Sequence, residues 1–459
     1  MTIKSLLTYG SKVSNVELVY FAPISTIQNG GGNISSTYCV LARPDPWTDD
    51  NNPDEPRQDQ KYLKEFMKNI FAAKLIRSSD ICPVTERIDW VSGKYYDSYV
   101  DDEDMFELLP DDTFAKKFYV KNRYDQVFKC LWNKNKTVPS TSEPFFEPGN
   151  YSSNGIYQGD DGYKWKFMYT IDAGLKNKFM DKKWMPVQIN MNTPNAFLSA
   201  SGAGSVDVVN VISGGSGYDP ATSPVSLYVD GDFTVQASGT VQVTNGVVTD
   251  VTITNSGKNY TYANAAIIST TGSGAVLSAP TSPVGGHGWD PMSELGVSRI
   301  MYSVEFSGDE SGVIPTDINY HQIGLVELPS TIESSLKATP QVANGAIYST
   351  TTNFVVATGL GAFSSDERIY QGSPDNPTFT ATVLSFDTDT NVLRLINTTG
   401  TPTIVSPVYG RKTSTTRTLL SYDTPNYIPL SGYVAFIENR SGIQRSADGI
   451  EQFKFVLSY

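Results

Sequence analysis

Acid–base and metal chemistry draw first on histidine and cysteine, and this chain holds two of the first and three of the second. His287 lies in a glycine-flanked stretch, Gly285-Gly286-His287-Gly288-Trp289-Asp290-Pro291, and His321 stands alone. Neither belongs to an HExxH helix, and Cys39, Cys82 and Cys130 have no CxxC spacing, so a tetrahedral zinc site lacks its ligands. His287 reads as a turn residue or an interface donor rather than a base. Asp230-Gly231-Asp232 and Asp387-Thr388-Asp389-Thr390-Asn391 suggest calcium loops only faintly, lacking Gly at the sixth position and Glu at the twelfth. Both fit hairpin turns better. Asp160-Asp161 could serve glycoside cleavage only if the two carboxylates faced each other, and neighbours in a strand point to opposite faces. There is no GxSxG elbow, GxxxxGK loop or GxGxxG turn. The reading is a non-enzyme, with no catalytic, metal-binding or cofactor-binding set and no cofactor.

The densest local signal is Asp161-Gly162-Tyr163-Lys164-Trp165-Lys166-Phe167-Met168-Tyr169, a turn followed by a strand crowded with aromatics. Lys129-Cys130-Leu131-Trp132 and Ser140-Thr141-Ser142-Glu143-Pro144 precede it. The positions that carry these residues must come from short strands. The chain has 37 Gly and 26 Pro, and most of it alternates or is β-branched between Gly, Asn, Asp and Pro. That is the pattern of many short strands joined by turns. The predicted class is mainly β with some α, multi-domain, built of sandwich or barrel units with one amphipathic helix near 58–75. Tyr62, Phe66, Ile70 and Ala73 sit at helical spacing there. A shorter helix is expected over 112–118.

The 459 residues suggest several domains. Charged residues make up 18% and aromatics 12%. Tyrosine in place of charge suits wettable, sticky subunit interfaces, and equally suits strands. A net charge of −13 argues against a nucleic-acid groove. The acidic runs at 49–55 and 101–112 read as solvated loops. Sparse, unpaired cysteines suggest a reducing compartment, and the chain shows neither a signal peptide nor an apolar span of membrane length. Synthesis in a cytoplasm, without membrane contact, is expected.

From about 199 to 283 the chain is nearly free of Lys, Arg and Glu and carries a degenerate repeat. The segment Val209 to Tyr218 aligns with Val251 to Tyr260; each copy is a strand, a tight turn and a tyrosine, followed by a second apolar strand (225–229, then 266–268). Two copies can bury a face that neither could bury alone. Phe379 to Phe386 and Val392 to Leu395 flank the Asp387–Asn391 turn as a hairpin, and a small barrel or sandwich over 336–420 fits. The expected organisation is an α+β region over 1–198 completed by the C-terminal strands, an inserted β-repeat module at 199–283, a connecting β region at 284–335, the barrel or sandwich at 336–420, and C-terminal strands over 421–459 that pack on the N-terminal region.

Three blocks taken together resemble the baseplate wedge proteins of T4-like contractile-tailed bacteriophages, the gene-product-eight family. The first is Tyr38 to Trp47, through Arg43-Pro44-Asp45-Pro46, followed by Arg87-Ile88-Asp89-Trp90. The second runs from Lys129 to Tyr169. The third is Ile437-Glu438-Asn439-Arg440 with the last strand, which contains Glu451. The resemblance covers about half the chain, mostly before 200 and after 430; the middle departs from the smallest members. It implies a non-enzymatic, β-rich homodimer in the virion tail, made in a bacterial host, that packs with other wedge subunits around a central hub and transmits the rearrangement that triggers sheath contraction. The candidate interface residues are Arg43, Trp47, Arg87, Trp90, Phe145, Phe146, Tyr163, Trp165, Trp184, Glu438 and Arg440, each weighed against a place in the domain core. A receptor-binding or glycan-cleaving tailspike or tail-fibre protein is the alternative, and would need many more regular repeats than two.

Overall fold

The computed structural model describes residues 8–28, 37–42, 46–147, 155–189, 204–331, 341–342 and 347–459. The chain is mainly β and divides into two compact units. One comprises residues 1–18, 82–301 and 456–459; the other comprises 19–81 and 302–455.

The first unit is built on a four-stranded sheet ordered Tyr119–Lys121, Gln126–Trp132, Lys164–Thr170, Ile156–Gln158. The two central strands pair antiparallel, with Cys130 opposite Trp165, Lys129 opposite Lys166 and Phe128 opposite Phe167. Phe128, Cys130, Tyr163, Trp165 and Phe167 pack with Tyr96, Val120 and Phe146 into one core. Aromatic rings meet edge-on and offset in this cluster, the geometry their quadrupoles prefer.

The repeat module belongs to the same unit and is an interlocked pair. The first strand of copy one (Asn210–Ser216) pairs with the last of copy two (Ser273–Ser278), and the first of copy two (Val247–Asn255) pairs with the last of copy one (Ser238–Thr244). The middle strands, Ser226–Gly231 and Ala263–Ile268, pair with each other. The two aligned tyrosines do equivalent work across the exchange. The Ala275 N–H donates to the Tyr218 hydroxyl (3.2 Å), and the Ala237 N–H donates to the Tyr260 hydroxyl (2.7 Å). The turn before each tyrosine has two left-handed residues, Gly215 and Gly217 in one copy and Gly257 and Asn259 in the other. That explains a repeat of Gly and Asn in an otherwise loose alignment. Val206, Val209, Val229, Val251 and Tyr260 form the shared core. Each copy's third strand went unrecognised in the sequence, because its Ser-Gly-Thr and Ser-Gly-Ala starts look like linker.

The second unit holds a five-stranded sheet ordered Ile347–Tyr348, Ile70–Leu75, Thr37–Ala42, Asn319–Glu327, Tyr433–Gln444. Thr37–Ala42 is paired on both sides, which accounts for its unbroken apolar run. The helix Gln60–Lys68 is capped by the Asp59 carboxylate on the Tyr62 N–H (3.0 Å) and lays Phe66 and Met67 on this sheet. Here the expectation of one helix over 58–75 is corrected. Asn69 ends the helix, and Ile70–Leu75 is a strand. Ile70 and Ala73 have helical spacing, yet the segment gains more by adding to the sheet edge beside Thr37–Ala42, with its first four residues buried. The 112–118 segment is not helical either; Leu108 and Phe114 bridge across a tight turn. A helix at Tyr9–Gln28 was missed. Gly10, several β-branched residues and Pro23 hide it from propensity arguments.

A closed barrel completes this unit: Thr352–Val356, Val392–Gly400, Pro377–Asp387, Arg368–Gly372, Pro407–Gly410 and Thr416–Asp423, with the last strand returning to the first. Its core is Phe354, Ile369, Phe379, Val383, Leu393, Leu395 and Leu419. The expected hairpin is its longest, closed by Asp387 opposite Val392. The Asp387 carboxylate accepts from the Asp389 and Thr390 N–H groups and the Thr390 hydroxyl, which is hairpin-turn chemistry.

Candidate functional site

The two central strands of the four-stranded sheet alternate. Aromatics and Cys130 take one face, so Lys129, Lys164 and Lys166 share the other. All three lysines are buried, and Lys129 and Lys166 stand directly opposite each other. Like charges opposed in this way repel, so the face needs carboxylates from elsewhere. The chain supplies them from the repeat module and from the segment that follows it. Lys164 donates to the Asp250 carboxylate (2.8 Å) and to the Val251 carbonyl (3.2 Å). The charge of Asp207 acts on Lys129 and Lys166. Lys129 donates to Glu294 Oε2 (3.0 Å), and each side chain of that pair is 1% exposed.

Around that pair the polar contacts are dense. Lys129 also donates to His287 Nδ1 (3.1 Å), and its ammonium lies 3.9 Å from the centre of the Tyr99 ring. Glu294 Oε1 accepts from the Gly288 N–H (2.7 Å) and the Asp290 N–H (3.3 Å). Asp290 caps the short helix Pro291–Glu294, accepting from the Met292 and Ser293 N–H groups, and thereby fixes where Glu294 points. His287 Nε2 is buried without a hydrogen-bond partner among the described residues.

Burial pulls the Lys129 ammonium below its ordinary range, while Glu294 opposes the shift. Burial also lowers Lys166. Burial alone would raise Glu294, but the Lys129 charge and the His287 contact overcome it and bring the carboxyl down to about 2. Burial and then the Lys129 charge push His287 below its ordinary 6.5. Both acid-side shifts have the same sign. As pH falls below 6.5 the unfolded chain takes up the His287 proton before the folded one does, and below 4.5 the same holds for Glu294. Stability should therefore be lost progressively from about pH 6.5 towards pH 2. Melting temperatures of the freshly folded chain, with Glu294 a free carboxylate, check it across that range. In Glu294→Gln the slope below pH 4.5 should shrink but not vanish, because Asp89 and Asp125, also held low against their burial by neighbouring cations, still titrate there; an unchanged slope would remove Glu294 from the account.

On the aromatic side, the segments singled out in the sequence converge on Asp161. Its Oδ2 accepts from the Ser140 hydroxyl (3.1 Å), the Thr141 N–H (2.7 Å) and the Ser142 N–H (2.9 Å), and its Oδ1 accepts from the Tyr163 N–H (3.0 Å). The Trp90 indole donates to the Ser140 hydroxyl (3.1 Å). Glu143 accepts from the Arg123 N–H (2.9 Å), and Asn122 Nδ2 donates to the Pro144 carbonyl (2.9 Å). Asp161 is thus a structural clamp.

The candidate interface residues fall into separate groups. Tyr163 and Trp165 have no exposed surface to offer a partner, and Phe146 and Trp184 are nearly as buried. Tyr163, Trp165 and Phe146 pack into the aromatic core of this sheet, whereas Trp184 packs with Cys82, Val84, Phe179 and Met301 and lies beneath the Arg299 guanidinium at 4.8 Å. Trp90 is half-buried at the clamp. Arg87 holds Asp89 through Nε (3.1 Å) and the Asp181 carbonyl through Nη1 (2.8 Å). Phe145 is 37% exposed against Tyr124. Trp47, Glu438 and Arg440 come together in the second unit. The Trp47 indole donates to the Arg440 carbonyl (2.7 Å), and Arg440 pairs with Glu438 (2.9 Å). Asn439 between them accepts from the Tyr62 hydroxyl and Gln322 Nε2, both at 2.8 Å. Glu451 holds the buried Arg445 (2.7 Å). Arg43 lies outside the described residues.

Sequence reasoning missed the lysine face and its partners Asp207, Asp250 and Glu294, and read His287 only as a turn residue or an interface donor. The signal was present: Lys129, Lys164 and Lys166 interrupt strands that otherwise read as fully buried, and a buried lysine requires a partner.

No family model matches the chain, and no curated protein matches it.

Proposed function

We propose that this chain is a structural wedge subunit of the baseplate of a contractile phage tail, acting as a homodimer that packs with other wedge subunits and transmits their rearrangement. The observation that carries the reading is the convergence on Asp161. Trp90, Ser140-Thr141-Ser142 and the Asp161–Tyr169 strand, three of the segments on which the resemblance rests, meet in one hydrogen-bonded clamp although they are far apart in sequence. Scattered residues that form one structural signature support the resemblance better than the same residues spread over unrelated surfaces. The exposed Phe145–Tyr124 pair and the Trp47–Arg440 contact supply aromatic and arginine side chains of the kind that dominate interface energetics.

The solution mass by light scattering at two concentrations tests this. A mass of two chains that persists on dilution, with co-purification of tail proteins encoded beside it, is the expected result. A stable trimer that lowers the viscosity of host polysaccharide would replace it with the tailspike reading.

A further inference from the structure

We propose that Lys129 and Glu294 are the two halves of an intramolecular amide cross-link that the folded chain forms by itself. The inference rests on the geometry of this cluster alone and is independent of the virion reading.

The parts of an acyl-transfer site surround this one pair. The nucleophile is an amine removed from water and held 3.0 Å from the carboxyl group it would attack. The base is His287, whose Nδ1 already accepts a hydrogen bond from that amine at 3.1 Å. Two backbone N–H groups, of Gly288 and Asp290, converge on Glu294 Oε1, where negative charge would develop. Glu294 Oε2 is left facing Lys129 Nζ and His287 Nδ1, the latter at 3.7 Å.

The step balances without any co-reactant. The ion pair first becomes a neutral pair by passage of one proton from the ammonium to the carboxylate. The amine then attacks Glu294 Cδ while His287 Nδ1 takes a second proton from it. The tetrahedral intermediate carries its charge on Oε1, beneath the Gly288 and Asp290 N–H groups. The C–Oε2 bond breaks, His287 returns its proton, and Oε2 leaves as water. One C–N bond forms, one C–O bond breaks and nothing is oxidised. The neutral pair is the minor form, so the reaction is slow and completes after folding. The product exchanges two buried charges for a neutral amide, which removes the desolvation penalty that a buried ion pair carries.

The other lysine–carboxylate pairs of this face lack these features. Lys164 and Asp250 are as close (2.8 Å), but Asp250 is 21% exposed and no imidazole touches the lysine among the described contacts. They serve as an internal control.

Mass spectrometry of the full-length chain, aged after purification, decides the matter. The expected result is an intact mass lower than the sequence mass by one water. A proteolytic digest should then hold a branched peptide joining the segments around Lys129 and Glu294, with none at Lys164. Lys129→Arg and His287→Asn should each restore the full mass. Recovery of the two segments only as separate linear peptides from the aged wild-type chain overturns the proposal, and that measurement does not depend on any variant folding.

Discussion

Replacing Glu294 with alanine should destabilise the first unit by about 3–5 kcal/mol, the usual cost of leaving one member of a buried ion pair without the other. The change strips Lys129 of the Glu294 carboxylate, on a face where Lys166 already stands opposite it. It also frees the Gly288 and Asp290 N–H groups, which are otherwise satisfied by Glu294 Oε1. With or without the amide link, the direction is the same. Tryptophan fluorescence during urea unfolding reports mainly on this unit, since Trp90, Trp132, Trp165, Trp184 and Trp289 lie in it and only Trp47 lies in the other. The informative companion is the double variant Lys129→Met with Glu294→Leu. A buried ion pair is worth little more than apolar groups of similar volume, so the double variant should recover most of the loss. A single-variant loss below about 1 kcal/mol would mean that the carboxylate is dispensable and the lysine face is held by something else.

The same face shows how far the sequence could be read. Where local pattern and tertiary demand agree, the reading was sound. The hairpin through Asp387–Asn391 and the barrel around it needed only alternation and turn chemistry. The repeat was visible because left-handed turns admit few residues, so Gly215 and Gly257 match where their flanking strands differ. The failures lie where tertiary pairing overrode local preference. Ile70–Leu75 has helical spacing and became a strand, since Thr37–Ala42 offered it an edge. His287 looked like a loop residue because its partners, Lys129 and Glu294, lie on segments that no local pattern joins. Periodicity places a lysine on a strand face, but only the fold shows which carboxylate covers it.

Trp165→Ala should cost about 3–5 kcal/mol, and Trp165→Phe should cost about 1 kcal/mol or less. The contrast follows from two features of one side chain. Trp165 is fully buried, stacked on Tyr163 at 5.8 Å and edge-on to Tyr96 at 5.5 Å, so truncation to alanine opens a large cavity at the centre of the aromatic core. Its indole N–H, however, has no hydrogen-bond partner among the described residues. Phenylalanine keeps much of the ring contact and removes a donor whose unsatisfied burial costs about 1–3 kcal/mol, which offsets much of the lost volume. Urea titrations of the two variants measure both effects. Equal losses for alanine and phenylalanine would show that the N–H is satisfied after all. The pair also separates core from interface. A core tryptophan changes the unfolding midpoint of the isolated chain at any concentration, whereas an anchor for a second subunit would leave that midpoint alone and change the mass seen by light scattering. Its position opposite Cys130, with the lysine face behind it, argues for the first outcome, because a partner could reach Trp165 only by opening the sheet on which the Asp161 clamp is built.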